Sequence, residues 1–486
     1  MSVLRDIFSG TLWVIAARWL IRGIGLISTI FLARLLTPAD FGVVAMATLA
    51  IGLLQVFGDT GMVMFIIRHP DPQRRHFDTV WTLRIIVGLV IALAMLLVAP
   101  WAAGFFHEPR ITAVIRILAL QPLLMGLENP GIIWFRKNMV FSKDFEFLVL
   151  NKIVSFELTI GLALTLRNYW ALVIGILIGS VTSTLQSFRM HPYRPRLDLS
   201  EVRAMWAFSF WILAQNVLGF LNGRVDELIV GRIKSTTMMG YYNIAADVAS
   251  SPVQEIILPL SRVLFPGIAQ LAHQKEALAA TFEKVVASVV IVVLSVSIGI
   301  ALVAADFVAV FLGDRWLPII PLVRILAVAT GILALGQPFL ILLNVTDRSR
   351  TAATLSLVRQ MLLMAAMVPA AIYADLQAVA LARAGATLAV LALTLAVTSG
   401  LVRMNLWNLL RPVLAAVAMC GGVMLVQALS PDLPWLRLVL GVATGAMTYG
   451  GTLLVLWLVA GRPAGVESDM LAALTTRLTG LCRQPR

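Results

Sequence analysis

Apolar runs of about twenty residues, each long enough to cross a hydrocarbon core, follow one another along nearly the whole chain. A window of about 19 residues marks about fourteen of them, near 11–33, 41–66, 80–105, 111–135, 145–166, 168–188, 204–230, 237–269, 281–305, 316–345, 351–373, 376–401, 412–430 and 434–460. The connections are too short to hold a soluble domain. Lipid offers a spanning backbone no hydrogen bonds, so runs of this length must be helical. Composition agrees: 60% of the 486 residues are hydrophobic and 13% charged, where a water-soluble chain carries about 25% charge. The expected fold is an all-α polytopic membrane protein. "MSVLRDIFSG" enters the first run without a small-residue cleavage site, so that span is expected to be retained and not removed as a signal peptide.

The net charge of +13 invites a nucleic-acid partner, but its distribution argues for topology instead. With the N-terminus inside, segments 68–76, 135–144, 188–203, 273–284, 346–350, 403–411 and the tail hold roughly three times the Lys and Arg of the opposite set. Basic short loops stay in the cytoplasm, so both termini are expected there, and no nucleic acid is expected as a partner. "GRIKSTT" (231–237) lacks the second glycine that a phosphate loop needs before its lysine. The five histidines lie near span ends without metal-ligand spacing, and no long loop carries a triad or a carboxylate pair. No cofactor, no metal and no enzymatic chemistry are expected. Cys420 in an apolar run and Cys482 in the tail read as free thiols.

An internal repeat organises the spans. "RILAL" at 116–120 recurs as "RILAV" at 324–328, an offset of 208 that Pro130 and Pro338 keep. "LVAPWAAGFF" (97–106) recurs as "LVAADFVAVF" (302–311), and "ARLLTPADFG" (33–42) lines up with "GRIKSTTMMG" (231–240). Two six-helix lobes are therefore expected, 1–200 and 201–402, with two extra transmembrane helices and a cytoplasmic tail over 403–486. Six is even, so the lobes share orientation about an axis along the membrane normal, an arrangement of alternating-access transporters.

Polar stripes fall on corresponding spans of the two lobes. The first span carries Thr11, Ile15, Arg18, Arg22, Gly25 and Thr29 at helical spacing, with no carboxylate in the span to neutralise the arginines. The seventh carries Ser209, Ile212, Asn216, Gly219, Gly223 and Asp226; the second Thr48, Gly52, Gln55 and Asp59; the eighth Asn243, Asp247, Ser250, Gln254 and Ser261. Lipid rejects such faces, so they are expected to meet protein or a water-filled cavity. Interhelical hydrogen bonding in a packed core is the alternative for any one of these residues. Asp59, Glu128, Asp247 and Glu255 are carboxylates inside spans, where desolvation suits proton exchange; burial as an arginine's partner is the alternative.

"FLARLLTPADFGVVAMATLAIGLLQVFGDTGM" (31–62) resembles the opening signature of polysaccharide exporters in the multidrug/oligosaccharidyl-lipid/polysaccharide superfamily, and "NGRVDELIVGRIKSTTMMGYYNIA" (222–245) resembles their second-half signature. The chain looks most like the Wzx-type flippases and their colanic-acid and exopolysaccharide relatives. The resemblance implies a V-shaped, two-lobed helical fold with a central cavity lined by spans 1, 2, 7 and 8. It implies translocation of undecaprenyl-pyrophosphate-linked oligosaccharide across the bacterial inner membrane for lipopolysaccharide, capsule or exopolysaccharide, with a polymerase and a chain-length regulator as implied partners. Arg18, Arg22, Thr29, Thr48, Gln55, Asn216, Asn222, Arg224, Asn243 and Gln254 are the residues expected to line the pyrophosphate and sugar cavity. Asn216 stands where the repeat would place the counterpart of Arg18, so the second lobe departs from a symmetric arginine clamp. Arg224 and Arg262 are its candidate substitutes. A flippase for the lipid-linked peptidoglycan precursor and a multidrug or cation antiporter of the same superfamily are the alternatives. A polymerase would need large periplasmic loops that this chain lacks.

Overall fold

The computed structural model describes residues 2–58, 61–270, 274–401 and 406–461. Every regular element among them is helical. Packing divides the chain into two units, Met1–Asn243 and Ile244–Arg486. This boundary comes from contacts, whereas the repeat boundary near residue 200 comes from sequence likeness.

The first unit holds α1 (Ser2–Leu35), α2 (Pro38–Val56), α3 (Met62–Arg68), α4 (Arg74–Phe106), α5 (Arg110–Leu118), α6 (Leu120–Leu127), α7 (Ile133–Lys137), α8 (Phe141–Leu166), α9 (Trp170–Met190), α10 (Val202–Ile233) and the start of α11 (Thr236–Gln270). The second holds the rest of α11, then α12 (Lys275–Phe307), α13 (Ile320–Leu335), α14 (Gln337–Val345), α15 (Ser349–Tyr373), α16 (Leu376–Thr398), α17 (Leu406–Leu429) and α18 (Pro434–Val459). Among the described residues 12 segments are long and apolar enough to cross a membrane, where the sequence led us to expect about fourteen. The expected spans at 204–230 and 237–269 coincide with α10 and α11, helices of 32 and 35 residues whose side chains at 203–215 and 258–267 lie outside the described residues.

Three expected spans are not single helices. The run 41–66 breaks after Val56, and α3 restarts from Gly61, whose φ of 69° is the left-handed conformation that favours glycine. The run 111–135 is split into α5, α6, a 3₁₀ turn at Pro130–Ile132 and α7. Pro130 lacks the N–H that would continue the helix and instead sits at the favoured first position of the new one. The run 316–345 breaks at Gly336, with Pro338 in the first turn of α14. Pro130 and Pro338, matched in the repeat, thus do the same job in both units.

The helix starts preserve the repeat as well. Pro38 opens α2 and Thr236 opens α11, the 198-residue offset that also relates Gly42 to Gly240. Arg74–Phe106 and Lys275–Phe307 are both 33 residues long. Thr37 and Asp40 form a reciprocal capping box, the Asp40 carboxylate accepting the Thr37 N–H at 2.9 Å and the Thr37 hydroxyl accepting the Asp40 N–H at 3.3 Å. At the matched position the Ser235 hydroxyl accepts the Met238 N–H at 3.3 Å.

These two starts meet inside the first unit. A Cβ on Gly42 would stand 1.8 Å from the Thr236 carbonyl oxygen, and a Cβ on Gly240 would stand 1.8 Å from the Pro38 carbonyl oxygen. Gly42 corresponds to Gly240, and Pro38 to Thr236, so the contact is reciprocal in the manner of a two-fold interface. Only glycine permits backbones to approach this closely. Glu108 braces the joint: its carboxylate accepts from the Arg110 guanidinium at 2.8 Å and from the Thr236 hydroxyl at 2.8 Å. The Arg110 hydrogen bond outweighs burial and, with that from Thr236, holds the Glu108 carboxyl down at about 2. Arg232 adds a bond to the Phe105 carbonyl at 2.5 Å.

At the opposite end of the unit, residues 191–199 run without helix and are strapped to α4. Buried Asn129 donates to the His191 and Tyr193 carbonyls at 3.3 and 2.8 Å, and the Tyr193 hydroxyl and Arg196 N–H both donate to Asp78 at 2.7 and 2.8 Å. Burial, aided by Asp78, pushes the Tyr193 hydroxyl pKa up. In the second unit, α17 and α18 pair and dock on α12. The Tyr449 hydroxyl donates to the Ile291 carbonyl at 2.7 Å, and Gln427 donates to Asp306 at 3.1 Å. Ala287, Ile291, Ala415, Met419 and Tyr449 form the apolar core of this contact.

Candidate functional site

α1 has one face turned to protein and one turned outward. Arg18, Arg22, Gly25 and Thr29 are half-buried, while Trp19 is 61% exposed and Leu20, Leu26, Ile27 and Phe31 are exposed on the other side. The helical period puts the four half-buried residues on one stripe, so the exposed side between Trp13 and Phe31 is apolar and Arg18 and Arg22 avoid it. α1 lies along α8, and the Trp13 ring packs edge-on against Phe145 with centroids 4.9 Å apart. Gly25 leaves room for a side chain from α8. A Cβ there would stand 3.9 and 4.0 Å from Cε and Nζ of Lys152. Lys152 therefore joins the arginine stripe, and Arg22 is the charged group that acts on it. Sequence reading missed this lysine, although a cation inside the span 145–166 is the same signal that singled out the arginines.

α2 contributes less than its stripe promises. Thr48 is exposed, and its hydroxyl turns back on its own helix, to the Val44 and Ala45 carbonyls at 2.8 and 3.0 Å. Gln55 donates to Gln121 on α6 at 3.1 Å and lines a cavity of 370 Å³ with Arg84, Met62, Ile91, Pro122 and Met125. Arg84 was not singled out from the sequence. Its guanidinium donates to the Met125 carbonyl at 2.8 Å and to Glu128 at 3.0 Å, and the Ser183 hydroxyl donates to the other Glu128 oxygen. Of the two readings open for Glu128, the observed geometry is that of an arginine's partner. Asp59 lies outside the described residues.

On α10, Asn216 and Asn222 are half-buried. Arg224 pairs with Glu227 one turn along at 2.6 Å, so its charge is matched within its own helix and its use as a substitute for a second-lobe arginine has a competitor. Asp226, buried, accepts from the Tyr242 hydroxyl at 2.9 Å. Asn243, half-buried, ends the first unit. Gln254, Asp247 and Glu255 belong to the second unit: Gln254 and Asp247 are exposed, Glu255 is half-buried, and the Ser251 hydroxyl donates to Asp247 at 3.0 Å. The Arg262, Ser209, Ile212 and Ser261 side chains lie outside the described residues. Among the described residues no cluster of His, Cys, Asp and Glu could hold a metal ion.

Chemically, the first unit thus offers one concentrated feature. Three cations from two helices share a half-buried face, whereas Arg84 on α4 is matched by Glu128.

Residues 31–321 match the family described as "Polysaccharide biosynthesis protein". The chain is 27% identical over 348 residues to the lipopolysaccharide biosynthesis protein WzxC of Escherichia coli (strain K12), which covers 70% of each chain. It is 23% identical over 331 residues to the succinoglycan biosynthesis transport protein ExoT of Rhizobium meliloti (strain 1021), covering 68% of this chain and 67% of that one. The fold is similar to that of the lipid II flippase MurJ in an inward closed conformation, with a TM-score of 0.76, 12% identity and coverage of 93% and 100%. It is also similar to an inward-facing multidrug resistance MATE transporter, with a TM-score of 0.56, 13% identity and coverage of 80% and 93%. A helical chain with many membrane-crossing segments and these relatives belongs to the polysaccharide biosynthesis protein family of multi-pass membrane proteins.

Proposed function

We propose that this protein is a flippase, not an enzyme, that carries undecaprenyl-pyrophosphate-linked oligosaccharide repeat units across the bacterial inner membrane by alternating access of two repeat lobes, 1–200 and 201–402. Both termini lie in the cytoplasm in this reading. The product is handed to a polymerase and a chain-length regulator for O-antigen, capsule or exopolysaccharide. The names and the family of its relatives support a role in polysaccharide export.

The observation that carries the pyrophosphate is the half-buried face bearing Arg18 and Arg22 in an apolar helix. A charge at the centre of a span costs roughly 2.5–3.5 kcal/mol on insertion scales, so two of them on one stripe call for an anionic ligand or partner. Guanidinium groups stay charged at any working pH and grip phosphate oxygens in pairs. Thr29, Gln55, Asn216 and Asn222 supply neutral donors and acceptors of the kind a sugar needs.

The test is a series at position 22. Arg22→Ala should lower substrate affinity about ten- to a hundredfold, the loss of one charge-assisted contact. Arg22→Lys should recover part of it and Arg22→Gln little, each normalised to membrane abundance and scored for polysaccharide export. Lysine rescuing no better than glutamine would make Arg22 structural. Deleting the gene should leave a lipid-linked oligosaccharide in the cytoplasmic leaflet; a peptidoglycan precursor there would replace this reading with the alternative one.

A further inference from the structure

We infer that Lys152 is a third cation of the α1 anion site and the residue that lets the site prefer a diphosphate over a monophosphate. The inference rests on the pyrophosphate reading above and goes beyond it to the selectivity of the site.

The geometry is specific. Lys152 comes from the middle of α8, crosses α1 where Gly25 has no side chain, and ends with its amine 4.0 Å from where a Cβ at position 25 would stand. Position 25 is one turn from Arg22 on the same stripe, so the amine and the guanidinium flank one stretch of α1. Among the described residues Lys152 forms no ion pair, and the charged group acting on it is Arg22, which repels it. Acidic residues elsewhere on α8 are committed or face away. Asp144 is paired with Arg136, Glu146 with Lys143, and Glu157 is exposed.

Two like charges held side by side in a half-buried place are stabilised by an anion between them. Arg18 and Arg22 lie one turn apart, a spacing that one phosphoryl group satisfies through paired N–H donors. The lysine adds a separate point charge from another helix, with three donors on a flexible stem. A second phosphoryl group is the ligand that gives it work, and a monophosphate leaves it unused. The aligned small residue at 25 is what opens the crossing.

The full-length protein in nanodiscs provides the test, with undecaprenyl pyrophosphate and undecaprenyl monophosphate as probes in separate binding titrations. Lys152→Met should weaken the pyrophosphate about tenfold, as loss of one charge-assisted contact implies, and leave the monophosphate within about twofold. Lys152→Arg should retain the preference. Gly25→Leu, which fills the crossing and displaces the amine without deleting it, should reproduce Lys152→Met and serves if that variant does not fold. Equal weakening of both probes, or a preference unchanged in Lys152→Met or Gly25→Leu, overturns the inference. The Arg18→Ala/Arg22→Ala variant, titrated alongside, separates the two levels: pyrophosphate binding lost there but intact in Lys152→Met leaves the flippase reading standing and removes only the role of Lys152, whereas binding intact in both removes the site.

Discussion

The first unit contains two opposite solutions to placing awkward groups in a membrane protein. At the joint of α2 with α10 and α11, backbones touch through Gly42 and Gly240, and Glu108, Arg110 and Thr236 are bonded to one another. Along α1, a helix of which only 6% of the spanning window is buried, cations gather on a half-buried face. The joint is sealed by steric fit and matched charge; the α1 face is loosely enclosed and gathers cationic side chains from two helices. The difference separates a part that fixes geometry from the part proposed to accept a ligand. Substitutions should divide the same way, with stability lost at the joint and transport lost at the face.

The largest effect is expected at the joint. Gly42→Ala or Gly240→Ala drives a methyl into a carbonyl oxygen, and backbone cannot step aside as a flexible side chain can. Overpacking of this kind costs about 1–3 kcal/mol, and the upper end is expected at both positions. Both variants should melt earlier in detergent by similar amounts, read by fluorescence-detected gel filtration. A wild-type melt in either one would break the reciprocity of the contact.

Next is Arg18→Ala/Arg22→Ala. Export should vanish while membrane abundance and melting temperature stay near wild type, because α1 keeps its outward apolar face. Normal export by an abundant double variant would end the division between fitted joint and ligand face.

A smaller effect follows from Glu128→Gln, which leaves Arg84 with its bond to the Met125 carbonyl. Breaking a fully buried pair costs 3–5 kcal/mol. Both partners here are partly exposed, at 21% and 17%, so about 1–2 kcal/mol remains after solvent screening. Transport should persist with its dependence on the proton gradient intact. Loss of that dependence in an abundant variant would make Glu128 a coupling group and undo its assignment as a partner for Arg84.

The smallest response is to pH at the joint. The Glu108 carboxyl is depressed from its model-peptide range to about 2, so its contribution is present above the unfolded value and is lost as pH falls through the folded one. The melting difference between wild type and Glu108→Gln should therefore be constant from pH 8 to 5 and shrink only below about 4.5. A difference that already closes near pH 6 would show that Arg110 and Thr236 do not hold this carboxylate.

What could be read from the sequence was local or periodic. Span positions follow from hydropathy, and the repeat follows from matched Arg, Pro and Gly, which the structure turns into matched helix starts and matched proline breaks. The left-handed Gly61 had a signal in "FGDTG", yet the apolar residues on either side of it outweighed that signal. The Arg224–Glu227 pair was legible too, being three residues apart on one helix. Arg84 with Glu128, Lys152 beside Gly25, and Asn129 holding the strap at 191–193 were not legible, because each joins positions on different helices. Hydropathy states that a residue leaves lipid and does not state which neighbour it meets. The face of α1 was therefore visible as a stripe, whereas its third cation needed the packing of α8.

The departure of Asn216 from its counterpart Arg18 has an electrical consequence. The repeat supplies two equivalent frames, but the cations described on α1 have no match at that position of α10. Each elementary charge moved across a membrane carrying 100 mV changes energy by about 2.3 kcal/mol. With the cytoplasm negative, net positive charge on α1 would be drawn inward, toward the leaflet where the proposed lipid-linked substrate is made. In the reading proposed above, a bound diphosphate would offset that charge and let the loaded face move outward against less of the field. Transport by the proposed carrier would then depend on membrane voltage, even where no ion is carried along.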